Sequence, residues 1–141
     1  MQIVRTTNAS ETYNLGQEIG NSLHGGDIIA LSGELGSGKT TFTKGVAEAL
    51  GITQEITSPT FLLVKQYQVS RPGINRLYHI DLYRLDEKAD FRLLGLTDIF
   101  SDSQAVVIIE WPERLKNRLP EQSKVITFTY LAEDKREIVI K

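Results

Sequence analysis

Residues 33–40 contain glycine, lysine and threonine at a spacing that is typical of a binding loop. The segment Gly33-Glu-Leu-Gly-Ser-Gly-Lys-Thr satisfies the pattern G-x-x-x-x-G-K-[ST]. Its glycines let the backbone curl so that successive N–H groups face one anion. Lys39 supplies a positive charge for the β- and γ-phosphates, and the Thr40 hydroxyl is suited to Mg²⁺. The pattern therefore predicts a loop that binds a nucleoside triphosphate, with contacts from Gly33, Leu35, Gly36, Ser37, Gly38, Lys39, Thr40 and Thr41.

Two carboxylates follow apolar segments and are candidates for the metal side of such a site. Glu110 ends the run Ala105-Val-Val-Ile-Ile, and Asp81 follows Leu77-Tyr-His-Ile. Nucleotide-hydrolysing enzymes with this loop hold Mg²⁺ with a carboxylate from another strand as well as with the loop hydroxyl. Open α/β sheets bind ligands beyond the carboxyl ends of their strands. We expect both carboxylates to face the γ-phosphate. The alternative for each is a solvated strand end, and the spacing does not decide which of the two contacts the metal.

Two further polar residues have a functional and a structural interpretation. Thr60, in Ser58-Pro-Thr-Phe, either responds to the γ-phosphate as switch threonines do or only turns the chain into a strand. His79 alternates with Asp81 along a predicted strand, so their side chains share a face. A lone histidine is more often a structural hydrogen-bonding residue than a catalyst. No Asn-Lys-x-Asp sequence occurs, which argues against a guanine-specific GTPase and leaves ATP as the expected nucleotide.

The elements that position these residues alternate between strand and helix. A buried strand over residues 28–31 precedes the loop, and a helix runs from Lys39 to about Leu50. The run 105–109 is rich in β-branched residues and is the expected central parallel strand. Further strands are predicted over 2–5, 61–69, 76–83, 125–131 and 136–140, with helices from Ser10 and over 86–94. The predicted fold is α/β, a P-loop NTPase-like three-layer α/β/α domain with a mixed, mainly parallel sheet and a C-terminal antiparallel hairpin.

Length, composition and charge exclude several classes of protein. The chain has 141 residues, of which 40% are hydrophobic and 24% charged, so we expect residues 1–141 to form a single domain. The absence of cysteine excludes disulfides, thiolate zinc sites and a cysteine nucleophile, and is consistent with the cytoplasm. No apolar run is long enough for a signal peptide or a membrane span. The net charge of −2 argues that any RNA is held by another subunit.

Four motifs together resemble the TsaE family, formerly called YjeE. They are the loop followed by Thr41-Phe, then Ser58-Pro-Thr-Phe, His79-Ile-Asp-Leu-Tyr-Arg and Ile109-Glu-Trp-Pro, and the resemblance covers nearly the whole chain. It implies a bacterial ATPase required for threonylcarbamoyladenosine (t6A) at the tRNA position beside the anticodon. It also implies that the protein binds the TsaD and TsaB pair, meets tRNA only through them, and resets that complex rather than transferring the group.

The same resemblance assigns roles by position. Thr40 and Glu110 would hold Mg²⁺, Asp81 would act near the metal or the attacking water, and Lys39 and the loop amides would hold phosphates. Thr60 and Trp111 would line the site, and adenine would pack near Asn8 to Ser10, including Ala9. A small-molecule kinase and a nucleotide-sensing module that does not hydrolyse are the competing hypotheses. A group supplied in trans contributes roughly 10³–10⁵ in turnover, so we expect slow hydrolysis alone and acceleration by partners.

Overall fold

The computed structural model describes residues 1–57, 63–85 and 95–141. Within these ranges the helices are α1 (Ala9–Asn21), α2 (Lys39–Ala49) and α3 (Leu96–Phe100), with a 3₁₀ segment at Pro112–Arg118. The strands are β1 (Gln2–Thr6), β2 (Ile28–Ser32), β3 (Val64–Arg71), β4 (Ile74–Asp81), β5 (Ala105–Glu110), β6 (Lys124–Ala132) and β7 (Lys135–Ile140). None of the helices in the described ranges is long and apolar enough to cross a membrane.

The strands form one sheet with parallel neighbours at its centre and antiparallel neighbours at both edges. Their order is β1-β7-β6-β2-β5-β4-β3. The parallel pairs are β6 with β2, β2 with β5, and β5 with β4. The remaining pairs, β1 with β7, β7 with β6, and β4 with β3, are antiparallel. These pairings confirm the mixed α/β fold, the central position of β5 and the C-terminal hairpin.

The central strands are apolar because both of their faces are covered. Every residue of β5 is buried, as are the first four of β2. One face packs against α1 and α2, through residues such as Leu15, Phe42 and Val46. The other face packs against Leu82, α3 and the 3₁₀ segment. A parallel strand buried on both faces reads as a continuous hydrophobic run, which is the pattern that predicted β2 and β5.

Helices α1 and α2 approach each other through glycine. A Cβ atom added to Gly16 would clash with the Phe42 carbonyl oxygen, and one added to Gly45 would clash with the Tyr13 carbonyl oxygen. The two backbones therefore touch, which fixes α2 and with it the Lys39 end of the helix. At the start of α1, the Asn8 side chain accepts a hydrogen bond from the Glu11 N–H at 2.8 Å. This is an N-cap, which satisfies one of the free donors of the first turn.

The end of β4 differs from the prediction, one predicted strand is only partly described, and one predicted helix lies outside the described residues. Strand β4 ends at Asp81 rather than at Tyr83, because the Asp81 side chain accepts the Tyr83 N–H at 3.0 Å and the chain turns there. The described part of the strand predicted over 61–69 begins at Val64. Thr60 and the helix predicted over 86–94 lie outside the described residues.

Candidate phosphate-binding site

The glycine-rich segment forms a loop between the end of β2 and the start of α2, which is the position expected of a phosphate-binding loop. Its three glycines have backbone conformations that other residues rarely adopt, and the φ angles of two of them are typical of left-handed turns. Gly36 has φ +77°, and Gly38, which caps the N-terminus of α2, has φ +106°. Glycine is therefore required at both positions, because a side chain would be strained there. The first turn of α2 has N–H groups without partners inside the helix, which is what an anion site needs.

The Lys39 side chain is folded back into this loop. Its Nζ donates a hydrogen bond to the Gly33 carbonyl oxygen at 2.6 Å and lies 4.4 Å from the centroid of the Trp111 ring. Lys39 is buried, yet its ammonium group has both a carbonyl dipole and an aromatic face as partners. The positive charge is therefore held within the loop, next to where phosphate oxygens would lie.

A cavity of about 240 Å³ joins the loop to the carboxyl ends of β4 and β5. Of the residues predicted from the glycine-rich motif, Gly33 and Ser37 do not line it: Gly33 holds Lys39 through its carbonyl group, and the Ser37 side chain is buried. The cavity brings together most of the other predicted site residues. Its walls are formed by Leu35, Gly36, Gly38, Lys39, Thr40, Thr41, Asp81, Tyr83, Glu110, Trp111 and Arg136.

The two carboxylates lie beside each other because β4 and β5 are paired in parallel with Asp81 opposite Glu110. Glu110 is buried, and its Oε2 lies 2.8 Å from Nε2 of the fully buried His79. His79 thus makes the structural hydrogen bond expected of a lone histidine. The cavity is therefore lined by two acidic residues, of which Glu110 is held in place by its hydrogen bond with His79.

The environment of Asp81 disfavours its ionised form. Burial raises the pKa of the Asp81 carboxyl above its usual value by desolvation, and the nearby charge of Glu110 adds to the increase. The Tyr83 N–H, His79 and Lys39 oppose this rise in pKa without cancelling it. A carboxyl group with a raised pKa beside a phosphate-binding loop is typical of a functional site.

The oxygen atoms around the cavity fit Mg²⁺. Thr40, Asp81 and Glu110 all line it and carry side-chain oxygen atoms, which are the ligands that Mg²⁺ prefers. In the described ranges no group of three or more His, Cys, Asp or Glu residues could hold a metal ion alone. That is consistent with nucleotide sites, where Mg²⁺ takes one or two carboxylates and completes its shell with phosphate oxygens and water. These residues could therefore hold Mg²⁺ together with a bound triphosphate.

Two further residues, which were not predicted from the sequence, also line the cavity. Tyr83 stands beside Trp111, with ring centroids 5.0 Å apart, and Trp111 itself has a left-handed backbone with φ +58°. Arg136 reaches the loop from β7, where its Nη2 donates to the Gly36 carbonyl oxygen at 3.0 Å. Tyr83 follows the recognised Asp81 by two residues, so spacing could have found it. Nothing near Arg136 in the sequence signals its position.

Ala9 lies apart from the main cavity. It lines a smaller cavity of about 50 Å³ with Thr12 and Asp134, and this cavity shares Gly38, Thr41 and Arg136 with the larger one. The predicted adenine-contacting residue therefore lies next to the phosphate-binding loop but outside the cavity that contains the carboxylates.

Comparison with known proteins gives the family. The family model described as "Threonylcarbamoyl adenosine biosynthesis protein TsaE" matches residues 6–138. The chain belongs to the TsaE family. A TsaE protein of Bacillus subtilis is 40% identical over 134 residues, covering 95% of this chain and 81% of the relative. A TsaE protein of Treponema pallidum is 41% identical over 132 residues, covering 94% of each.

A solved structure supports the fold described above. The crystal structure of YdiB from Bacillus subtilis superposes with a TM-score of 0.80 and 34% sequence identity, covering 99% of this chain and 83% of that one. The TsaE match includes the phosphate-binding loop, the end of β4 and the end of β5. The resemblance predicted from the four sequence motifs is thereby confirmed.

Proposed function

We propose that this protein is an ATP-binding, Mg²⁺-dependent ATPase that acts in the formation of t6A in tRNA. The observation that carries the proposal is the single cavity that unites the phosphate-binding loop with Asp81 and Glu110. The pathway is supported by the family and by its curated relatives, which are named "tRNA threonylcarbamoyladenosine biosynthesis protein TsaE".

In this proposal each part of the cavity has a role in phosphoryl transfer to water. The loop amides and Lys39 bind the phosphates, and Thr40 with Glu110 would hold Mg²⁺. When bound, the metal ion neutralises charge on the β- and γ-phosphate oxygens. Asp81 orients the attacking water and accepts its proton, a role for which a raised pKa is suited. Trp111 covers Lys39 and excludes water from that side.

We further propose that the protein works with TsaD and TsaB and resets their complex rather than transferring the threonylcarbamoyl group. The net charge of −2 supports a subunit that leaves tRNA to its partners. The length of 141 residues supports a single domain, and the absence of cysteine is consistent with the cytoplasm. Hydrolysis by the isolated protein is expected to be slow. Arg136 lines the cavity, but its terminal nitrogens already donate to three carbonyl groups, at Gly36, Ala132 and Lys135, so a group supplied by a partner would have most to add.

The test follows γ-labelled ATP with the protein alone and with TsaD and TsaB added, and separates free phosphate from phosphorylated products. Release of phosphate that rises with the partners supports the proposal. Label that appears in a small molecule, indifferent to the partners, would identify a kinase instead. Binding of ATP without turnover in either condition would identify a nucleotide-sensing module.

Two substitutions connect this activity to the carboxylates. Glu110→Ala and Asp81→Ala are expected to fold and to lose hydrolysis, because each removes an oxygen ligand or proton acceptor from the cavity. If either variant keeps full partner-stimulated activity, its role in the proposal is wrong.

A further inference from the structure

The tip of the phosphate-binding loop has almost no packing to hold it. Glu34, Leu35 and Gly36 are exposed, with Leu35 at 69%. A Cβ atom added to Gly36 would meet no other heavy atom within 4 Å. Apolar burial therefore does not fix this part of the loop, although a phosphate site needs its N–H groups in defined directions. Hydrogen bonds must therefore fix the conformation of the loop tip.

One side chain from a distant part of the chain supplies such a hydrogen bond. Arg136 Nη2 donates to the Gly36 carbonyl oxygen at 3.0 Å, and its Nη1 donates to the carbonyl oxygens of Ala132 and Lys135, also at 3.0 Å. Its guanidinium carbon lies 4.6 Å from the centroid of the Tyr130 ring. The guanidinium group is thus anchored on the β6–β7 hairpin at one end and bonded to the loop at the other.

The peptide group between Gly36 and Ser37 is consequently held at both of its polar ends. Its carbonyl oxygen accepts from Arg136, and its N–H donates to the Glu34 carbonyl oxygen at 3.1 Å. Because a peptide group is planar, two such bonds set its orientation. The Arg136 side chain also runs alongside Gly38, since a Cβ added there would lie 3.7 Å from Arg136 Cγ.

We infer that Arg136 is a positioning residue for the phosphate-binding loop, and that it clamps the loop tip to the hairpin in the shape that receives a nucleoside triphosphate. The clamp depends on the planar fork of arginine, whose separate nitrogens serve three carbonyl groups in fixed directions. A lysine has one ammonium group at a single point and cannot reproduce it. The effect on nucleotide affinity rests on the proposed function, whereas the effect on the loop itself does not.

The first experiment therefore measures hydrogen exchange of residues 33–38 in nucleotide-free protein. Arg136→Met and Arg136→Lys are compared with Arg5→Met, which removes an exposed arginine from the adjacent strand β1, where it pairs with Glu137. We expect exchange in the loop to rise about tenfold in both Arg136 variants and to stay unchanged in Arg5→Met, with similar melting temperatures. Unchanged loop exchange in Arg136→Met would overturn the inference.

The second experiment measures nucleotide affinity. Trp111 is the single tryptophan of the chain and lines the cavity, so its fluorescence can follow titration with ATP or ADP. Both Arg136 variants should raise the Kd for ATP and ADP alike by about tenfold, since the loop wraps phosphates common to both. Full affinity in Arg136→Lys would mean that charge alone matters and would overturn the clamp. If the unmodified protein binds no ATP, the proposed function fails while the exchange result still decides the clamp.

Discussion

The Nε2 atom of His79 lies 2.8 Å from Oε2 of Glu110, and both side chains are buried, Glu110 in the wall of the candidate site and His79 behind it. The other ring nitrogen, Nδ1, makes no hydrogen bond within the described part of the chain. A carboxylate oxygen can only accept, so Nε2 donates to it. One oxygen of Glu110 is thereby fixed by the histidine, which sets the direction in which the other oxygen can reach a ligand.

Replacing Glu110 by glutamine should remove activity and keep the fold. Glu110→Gln preserves the shape of the side chain and its ability to hydrogen-bond His79, but it removes the charge that the proposed metal site uses. We expect partner-stimulated ATP hydrolysis to fall by about a hundredfold or more, as measured by phosphate release. Glu121→Gln, at an exposed position away from the cavity, is the matched control and should retain activity. Comparable rates in the two variants would contradict the role of Glu110.

The Thr40 hydroxyl should determine how strongly Mg²⁺ promotes nucleotide binding. Thr40→Val keeps the branched shape and removes the oxygen ligand, so the gain in ATP affinity on adding Mg²⁺ should shrink by about tenfold. Thr40→Ser keeps the hydroxyl and should behave as the unmodified protein does. Titrations with and without Mg²⁺, followed by Trp111 fluorescence, measure the difference. An unchanged Mg²⁺ effect in the valine variant would remove Thr40 from the metal site.

Asp81 should lower the stability of the metal-free protein at neutral pH. The pKa of the Asp81 carboxyl is raised in the folded state, chiefly by desolvation. The contribution of Asp81 to stability is therefore most favourable below the pKa that it has in the unfolded state, and it is lost as pH rises through the pKa of the folded state. Asp81→Asn avoids this cost and its side-chain oxygen can still accept the Tyr83 N–H. We expect a higher melting temperature than that of the unmodified protein at pH 7, and a difference that narrows toward pH 4.

The control for this prediction is Glu48→Gln, which neutralises an exposed carboxylate on α2. Thermal unfolding in the presence of a chelator, across this pH range, gives both comparisons. If Asp81→Asn is less stable than the unmodified protein at pH 7, the desolvation argument fails.

The glycine contact between α1 and α2 should be essential for stability. Gly45→Ala places a methyl group against the Tyr13 carbonyl oxygen, so the helices must move apart. We expect a loss of about 1–3 kcal/mol in the free energy of unfolding, measured in urea. Lys44→Ala, at an exposed position one residue earlier on α2, should change it by less than about 0.5 kcal/mol. Equal stability of the two variants would show that the contact can relax.

Local patterns in the sequence were enough to predict most elements that carry the site. The motif ending in Lys39 and Thr40 fixes a strand, a loop and a helix start within a few residues of each other. The β-branched run before Glu110 predicted the central strand, and alternation along β4 predicted that His79 and Asp81 share a face. These predictions succeeded because each depends on interactions between near neighbours in the chain.

The remaining features depend on which strands lie side by side. The hydrogen bond from His79 to Glu110 requires the register that places Asp81 opposite Glu110. The contact of Arg136 with Gly36 requires β6 to lie next to β2 and β7 next to β6, an order that no local pattern encodes. Strand β4 ends two residues before the predicted position, because apolar character in the sequence continues past the turn that Asp81 makes with Tyr83.

The strand order also has a consequence for how fast the protein can fold. Strand β2 is made early in the chain, yet both of its neighbours, β5 and β6, come from its second half. Folding is slow in such sheets, because the chain loses the entropy of closing a long loop before the hydrogen bonds between the strands can form. During synthesis, β2 gains no neighbouring strand until β5 has emerged, and its second neighbour, β6, comes later still.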